Sequence, residues 1–94
     1  MEDRILTLHP EGKEDVNISK TKYDQIRRAI LQSIRDHGEI SFKALPGEVE
    51  QRITEDFAGS ITWYVTTVKL DLEARGEIER IPGKSPQSLR MTSS

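Results

Sequence analysis

The stretch from Ser60 to Gly76 puts apolar side chains on two opposite sides of one helix. Ile61, Tyr64, Val65, Val68 and Leu72 recur at helical spacing and form one stripe, at about 100° per residue. Trp63, Thr66, Thr67, Leu70 and Ala74 form a second set, with Trp63 turned about 160° from the first stripe. Ser60 supplies an N-cap and Gly76 a stop just past the last periodic residue. A helix with apolar residues on both sides contacts something on both sides. One side faces the core, and the cover of the other becomes the functional question.

The rest of the chain has little apolar material with which to answer it. The 94 residues are the size of one domain, 1–94, and contain 23 Ile, Leu, Val and Phe. Nearly every large apolar side chain must therefore face inward. There is no cysteine, so disulfides and thiolate metal sites are excluded. No apolar run is long enough to span a bilayer, and Met1-Glu2-Asp3-Arg4 lacks the basic-then-apolar order of a signal peptide. The expectation is a cytoplasmic protein without membrane contact.

Upstream, Arg4–Leu8 and Val16–Ile18 read as two strands joined by turn-forming residues, a hairpin over 1–18. Tyr23, Ile26, Ile30, Leu31 and Ile34 make the stripe of a first helix, capped by Ser19 or Thr21 and stopped by Gly38. Ile40 stands alone before Ser41. A second helix follows, burying Phe42, Leu45, Val49 and Ile53. Pro46 leaves two readings open: the helix starts near Pro46, or Phe42–Leu45 forms a separate turn. After the third helix, residues 77–81 alternate with period two, 82–86 read as a loop, and 88–91 as a return strand.

Helix, short strand, helix, helix and hairpin over residues 20–91 resemble the winged helix-turn-helix superfamily. The resemblance rests on Leu72-Glu73-Ala74-Arg75-Gly76-Glu77-Ile78, where a leucine four residues before a glycine closes the helix and an apolar residue opens the wing. Lys22-Tyr23-Asp24, Trp63-Tyr64-Val65 and Val68 to Gly76 also resemble a family of small uncharacterised bacterial proteins, a domain of unknown function. The implied fold is α+β, a winged helix (three-helix core with C-terminal β-hairpin wing, 19–91) plus the N-terminal β-hairpin. No activity is implied by either resemblance.

Catalysis finds no support in the residues. His9 and His37 lie far apart without ligand spacing, and no phosphate loop or nucleophile elbow is present. The expectation is a protein that is not an enzyme and uses no metal or small-molecule cofactor. Two binding readings remain. As a DNA-binding or regulator-like module, the chain would present Ser60, Thr62, Trp63, Thr66, Thr67 and Lys69 to double-stranded DNA. Arg80, Lys84 and Arg90 of the wing, with Lys20 and Lys22, would meet the phosphate backbone. As a protein-interaction or self-associating module, it would use Trp63 and Leu70. Charge is split rather than basic overall: 1–19 carry −3, 20–36 carry +3, 48–56 carry −3, 75–94 carry +2. A bipolar surface suits a protein partner at least as well as DNA. Two covers for the Trp63 strip are open, the N-terminal hairpin or a second copy in a symmetric dimer.

Overall fold

In the computed structural model, residues 3–9, 12, 16–53, 57–83 and 87–92 are described. The elements are β1 (Arg4–Thr7), β2 (Val16–Ser19), α1 (Lys20–His37), β3 (Glu39–Ser41), α2 (Leu45–Arg52), α3 (Ile61–Ala74), β4 (Ile78–Arg80) and β5 (Ser88–Met91). Mixed α and β structure is thus arranged as three helices and two small antiparallel sheets, β1-β2 and β3-β5-β4.

α1 forms the spine. Ser19 caps it, its hydroxyl accepting from the Lys22 amide at 3.4 Å, while Asp24 pairs with Lys20 Nζ at 2.9 Å instead of closing a capping box with Thr21. The expected stripe is buried throughout, and Ile26, Ile30 and Ile34 are 0% exposed. Burying each such side chain contributes about 1.5–3 kcal/mol. Gly38, at φ 78°, lets the chain leave the helix through a left-handed residue and enter β3. α1 packs against α2, α3 and the three-stranded sheet.

Both readings at Pro46 turn out to be partly right. Phe42–Ala44 is a separate turn, in which the Ala44 amide donates to the Ser41 hydroxyl at 3.2 Å. α2 then begins at Leu45 with Pro46 in its first turn, where the missing amide costs nothing. Ser60 caps α3, accepting from the Trp63 amide at 3.2 Å.

β3 pairs with β5 through Ile40↔Leu89, and β4 with β5 through Ile78↔Met91 and Arg80↔Leu89. Ile40, Ile78 and Leu89 close the core beneath α1. Ile5 pairs with Ile18 and Thr7 with Val16 in the N-terminal hairpin; Ile18 and Thr7 turn inward, while Val16 stays exposed. Ile18 is 3% and Thr7 2% exposed, so the hairpin shares the core of the helices.

Gly59 sits at φ 115°, and a Cβ there would stand 3.1 Å from Tyr64 Cε2. Strain and contact act together, so Gly59→Ala is expected to cost more than the ~1 kcal/mol typical of a conformational change alone. Chemical denaturation measures it; an unchanged midpoint would contradict the stated geometry.

Candidate interaction surface

Asp71 is the most heavily used polar residue on α3. It is 0% exposed, although it stands at the border of the helix's apolar stripe. Oδ1 accepts the Leu8 amide at 2.8 Å, Oδ2 accepts the Tyr23 hydroxyl, and both oxygens take Arg75 Nε at 2.9 Å. One carboxylate therefore ties α1 and the end of the N-terminal hairpin to α3. Burial, the hydrogen bond and the charge of Asp71 all push the Tyr23 phenol above its ordinary value.

The sign of that shift makes a test. A phenol whose proton is held more tightly when folded contributes stability fully below about pH 10, and the contribution fades as pH rises through the folded value. Tyr23→Phe is expected to lose about 1.5–3 kcal/mol at neutral pH, the range for a hydrogen bond to a charged group. The gap to the unaltered protein should narrow by up to ~1.4 kcal/mol per pH unit above about pH 10. Urea titrations at neutral and alkaline pH read the gap directly, and a constant gap would contradict the assigned donor.

Lys69 and Glu73, two residues to either side of Asp71, form a second buried cluster. Lys69 was expected at the flank of a DNA-reading surface. The structure buries it to 1% exposure, because its aliphatic stem lies on the core side of α3. Its Nζ lies 3.3 Å from Glu73 Oε2 and 3.9 Å from the Phe42 ring centroid. Desolvation holds the ammonium below the usual lysine value, against the opposing pull of Glu73. Glu73 Oε1 in turn accepts Arg80 Nε at 2.6 Å, fixing β4 to α3.

The expected phosphate-binding cations are largely occupied. Arg80 is held by Glu73, Arg90 Nε by Glu79 Oε1 at 2.9 Å, and Lys20 by Asp24. Lys22 Nζ stands over aromatic rings, 5.4 Å from the Tyr64 centroid and 5.7 Å from that of Phe57. Lys84 lies outside the described residues. Arg28 and Arg35 form no ion pair with a described residue, but they lie on the outer side of α1, beside a shallow groove with Asp24, Leu31 and Gln32. His37, in the last turn of α1, reaches Glu48 Oε2 at 3.3 Å. Arg52 joins Glu48 to Asp36, staples α2 to α1, and holds both carboxyls below their ordinary values through hydrogen bonds.

The outward side of α3 is different in kind. Trp63 is 46% exposed, so the described residues of the hairpin leave it open. Its ring meets Tyr64 edge-on at 4.9 Å, and Tyr64 meets Phe57 edge-on at 5.1 Å. Such pairs favour a fixed orientation over free rotation. Ser60 and Thr62 are exposed, Thr66, Thr67 and Leu70 half-buried. Thr66 Oγ1 donates back to the Thr62 carbonyl at 3.1 Å, and Ser60 is spent on the cap. Leu6 and Leu8 of the hairpin add exposed apolar surface.

The sequence marks Tyr23 as a core residue of the first helix, but gives no polar role to Tyr23, Asp71 or Glu73. A signal existed for Asp71: an acid at the margin of an apolar stripe with Arg75 four residues on. No sequence spacing connects it to Leu8 or Tyr23.

Among the described residues, no group of three or more His, Cys, Asp or Glu could hold a metal ion, and no helix is long and apolar enough to cross a membrane. One family model, described as a family of unknown function (DUF6958), matches residues 4–89. No curated protein and no solved structure matches the chain.

Proposed function

The chain belongs to the DUF6958 family of unknown function, and we propose that it is a winged-helix binding module whose α3 contacts protein instead of reading DNA. Support for the winged arrangement comes from chain order and sheet order together. A strand after the first helix takes the far position of a sheet ordered β3-β5-β4, and the last two strands form the hairpin that follows α3. In that arrangement α3 is the element a DNA-binding relative would lay in the major groove.

The observation that carries the protein-contact reading is the character of the outward face of α3. It offers an exposed tryptophan and threonines, while Lys69 is buried and Arg80 is committed to Glu73. Nucleic-acid affinity rests on cations that neutralise phosphate, and these are absent from that face among the described residues. Trp is enriched at protein contact hot spots because a large rigid ring buries much area for little lost freedom.

DNA binding is the rival reading, favoured by fold analogy and by the exposed hydroxyls of Ser60 and Thr62 at the start of α3. A labelled random duplex titrated with the chain at low salt separates the two. The expected result is no anisotropy change up to ~100 µM chain. Saturable binding that weakens steeply with added salt would overturn the protein-contact reading.

A further inference from the structure

All eight arginines lie among the described residues, and six of them hydrogen-bond to a side-chain acceptor of the fold. The two left over, Arg28 and Arg35, are exposed and line the same groove on α1. The groove holds about 260 Å³ and is lined besides by Asp24, Arg27, Leu31 and Gln32. These positions recur at helical spacing and fall on one strip, on the side of α1 away from Ile30. Arg28 and Arg35 point within about 20° of each other at ~100° per residue and stand about 10 Å apart along the axis. The charges around them are matched. Asp24 pairs with Lys20 at 2.9 Å, Arg27 with Glu77, and Asp36 with Arg52 at 2.7 Å. Gln32 is turned to Asp36, donating from Nε2 at 2.9 Å. Arg28 and Arg35 therefore leave two positive charges on this strip with no counter-charge among the described residues, and neither holds any part of the fold together.

We propose that this strip of α1 is a second docking face, for an acidic helix of a partner protein that carries two carboxylates seven residues apart. The face belongs to α1 and stands independently of the reading of α3. Charge names the partner, and spacing names its shape. Seven residues of a helix advance about 10 Å and return to nearly the same side. Two carboxylates at that spacing meet both guanidinium groups at once when the helices lie alongside, in either direction. An extended chain fits less well, because its side chains return to one face at steps of about 7 Å and 13 Å. Arginine presents a planar fork of donors to a carboxylate, which fixes the approach as well as attracting the charge. The order of charges disfavours a phosphate backbone. Asp24 lines one end of the groove, and Asp36 adjoins Arg35 at the other. A continuous line of phosphates would pass these carboxylates as well as the arginines, whereas two separate carboxylates avoid them. Both pairs would form in water, so binding is weak and sensitive to salt.

The probe is an alanine-rich helical peptide with two glutamates seven residues apart, added at low salt to the isotope-labelled full chain and followed by NMR. A dissociation constant on the order of 0.1–1 mM is expected, with the Nε–Hε signals of Arg28 and Arg35 shifting together. The same peptide with its glutamates on opposite faces should bind roughly five-fold or more weakly, because it can engage only one arginine at a time. Arg28→Ala/Arg35→Ala should melt with the unaltered protein and lose the glutamate peptide. Arg28→Glu/Arg35→Glu, folded by circular dichroism, should lose it too and instead bind the peptide carrying lysine at both glutamate positions. Trp63→Ala should bind the glutamate peptide unchanged, which separates this face from that of α3. No shift up to ~5 mM peptide, or equal binding of the two glutamate peptides, overturns the proposal. So does a folded alanine variant that binds as before, or a folded reversed variant that ignores the lysine peptide. Binding of random duplex DNA that disappears in the alanine variant would assign the strip to phosphate and overturn it as well.

Discussion

Asp71→Ala is expected to lower the unfolding free energy by about 3–5 kcal/mol, the scale for removing one member of a buried charged network. The residue is 0% exposed and receives three separate donors, from Leu8, Tyr23 and Arg75. Alanine leaves the Tyr23 hydroxyl and the Leu8 amide without their acceptor in a site too closed for water to serve both equally. Small domains have about 5–15 kcal/mol in total, so the loss is a large share. For a chain of this size each kcal/mol moves the melting temperature by about 4–8 °C, and a drop of well over 10 °C is expected. The loss should also be local before it is global. Asp71 bonds the Leu8 amide to α3, so amide exchange of the hairpin should quicken more than that of α1. Asp71→Asn retains an acceptor of the same shape and should cost less than alanine. A melting shift of only a few degrees in Asp71→Ala would contradict the role given to this carboxylate.

Lys69→Met is expected to cost about 3 kcal/mol, at the low end for breaking a buried pair because Arg80 still holds the other oxygen of Glu73. Methionine fills most of the space of the lysine stem, so the cost is mainly electrostatic. It leaves the Glu73 side chain, 7% exposed, with one cation where it had two. The informative comparison is the double variant Lys69→Met/Glu73→Met. Removing both charges also removes the need to desolvate them, and apolar replacements of buried pairs are often neutral. The double variant should then be more stable than the Lys69 single, with an interaction energy of 1 kcal/mol or more between the sites, within the roughly 0.5–3 kcal/mol seen for coupled neighbours. Urea denaturation of the singles and the double measures it. Additive losses would show that the two side chains do not act as a pair.

The contrast between these two clusters and the outward face of α3 explains how much the sequence discloses. Periodicity found the helices because burial repeats with the turn of the helix: Tyr23, Ile26, Ile30, Leu31 and Ile34 are all buried as their spacing predicts. Turn chemistry found the ends, as at Gly38 and Ser60. Residues 77–81 and 88–91 likewise read as strands, and pair as β4 and β5. Trp63 was placed outward by the same spacing, and it is exposed. Lys69 shows where this reasoning stops. Spacing assigns a direction to a residue but says nothing of a stem long enough to lie on the core and end on the Phe42 ring. Asp71 shows the second limit. Its partners, Leu8 and Tyr23, are 63 and 48 positions away, and only the packing of hairpin, α1 and α3 brings them together. The arginines of β4 and β5 show a third. Arg80 and Arg90 look available for phosphate in the sequence, and their pairing with Glu73 and Glu79 depends on how β4 lies against α3 and β5.

Because the chain has a single tryptophan, its tryptophan fluorescence, excited apart from Tyr23 and Tyr64, reports on α3 alone. Emission and acrylamide quenching of the folded protein, in solution dilute enough for a monomer, should show an indole in contact with water and quenched nearly as readily as in urea. A short-wavelength emission shielded from quencher under the same conditions would place Trp63 inside the fold, and the surface on which a partner is proposed to dock would not exist.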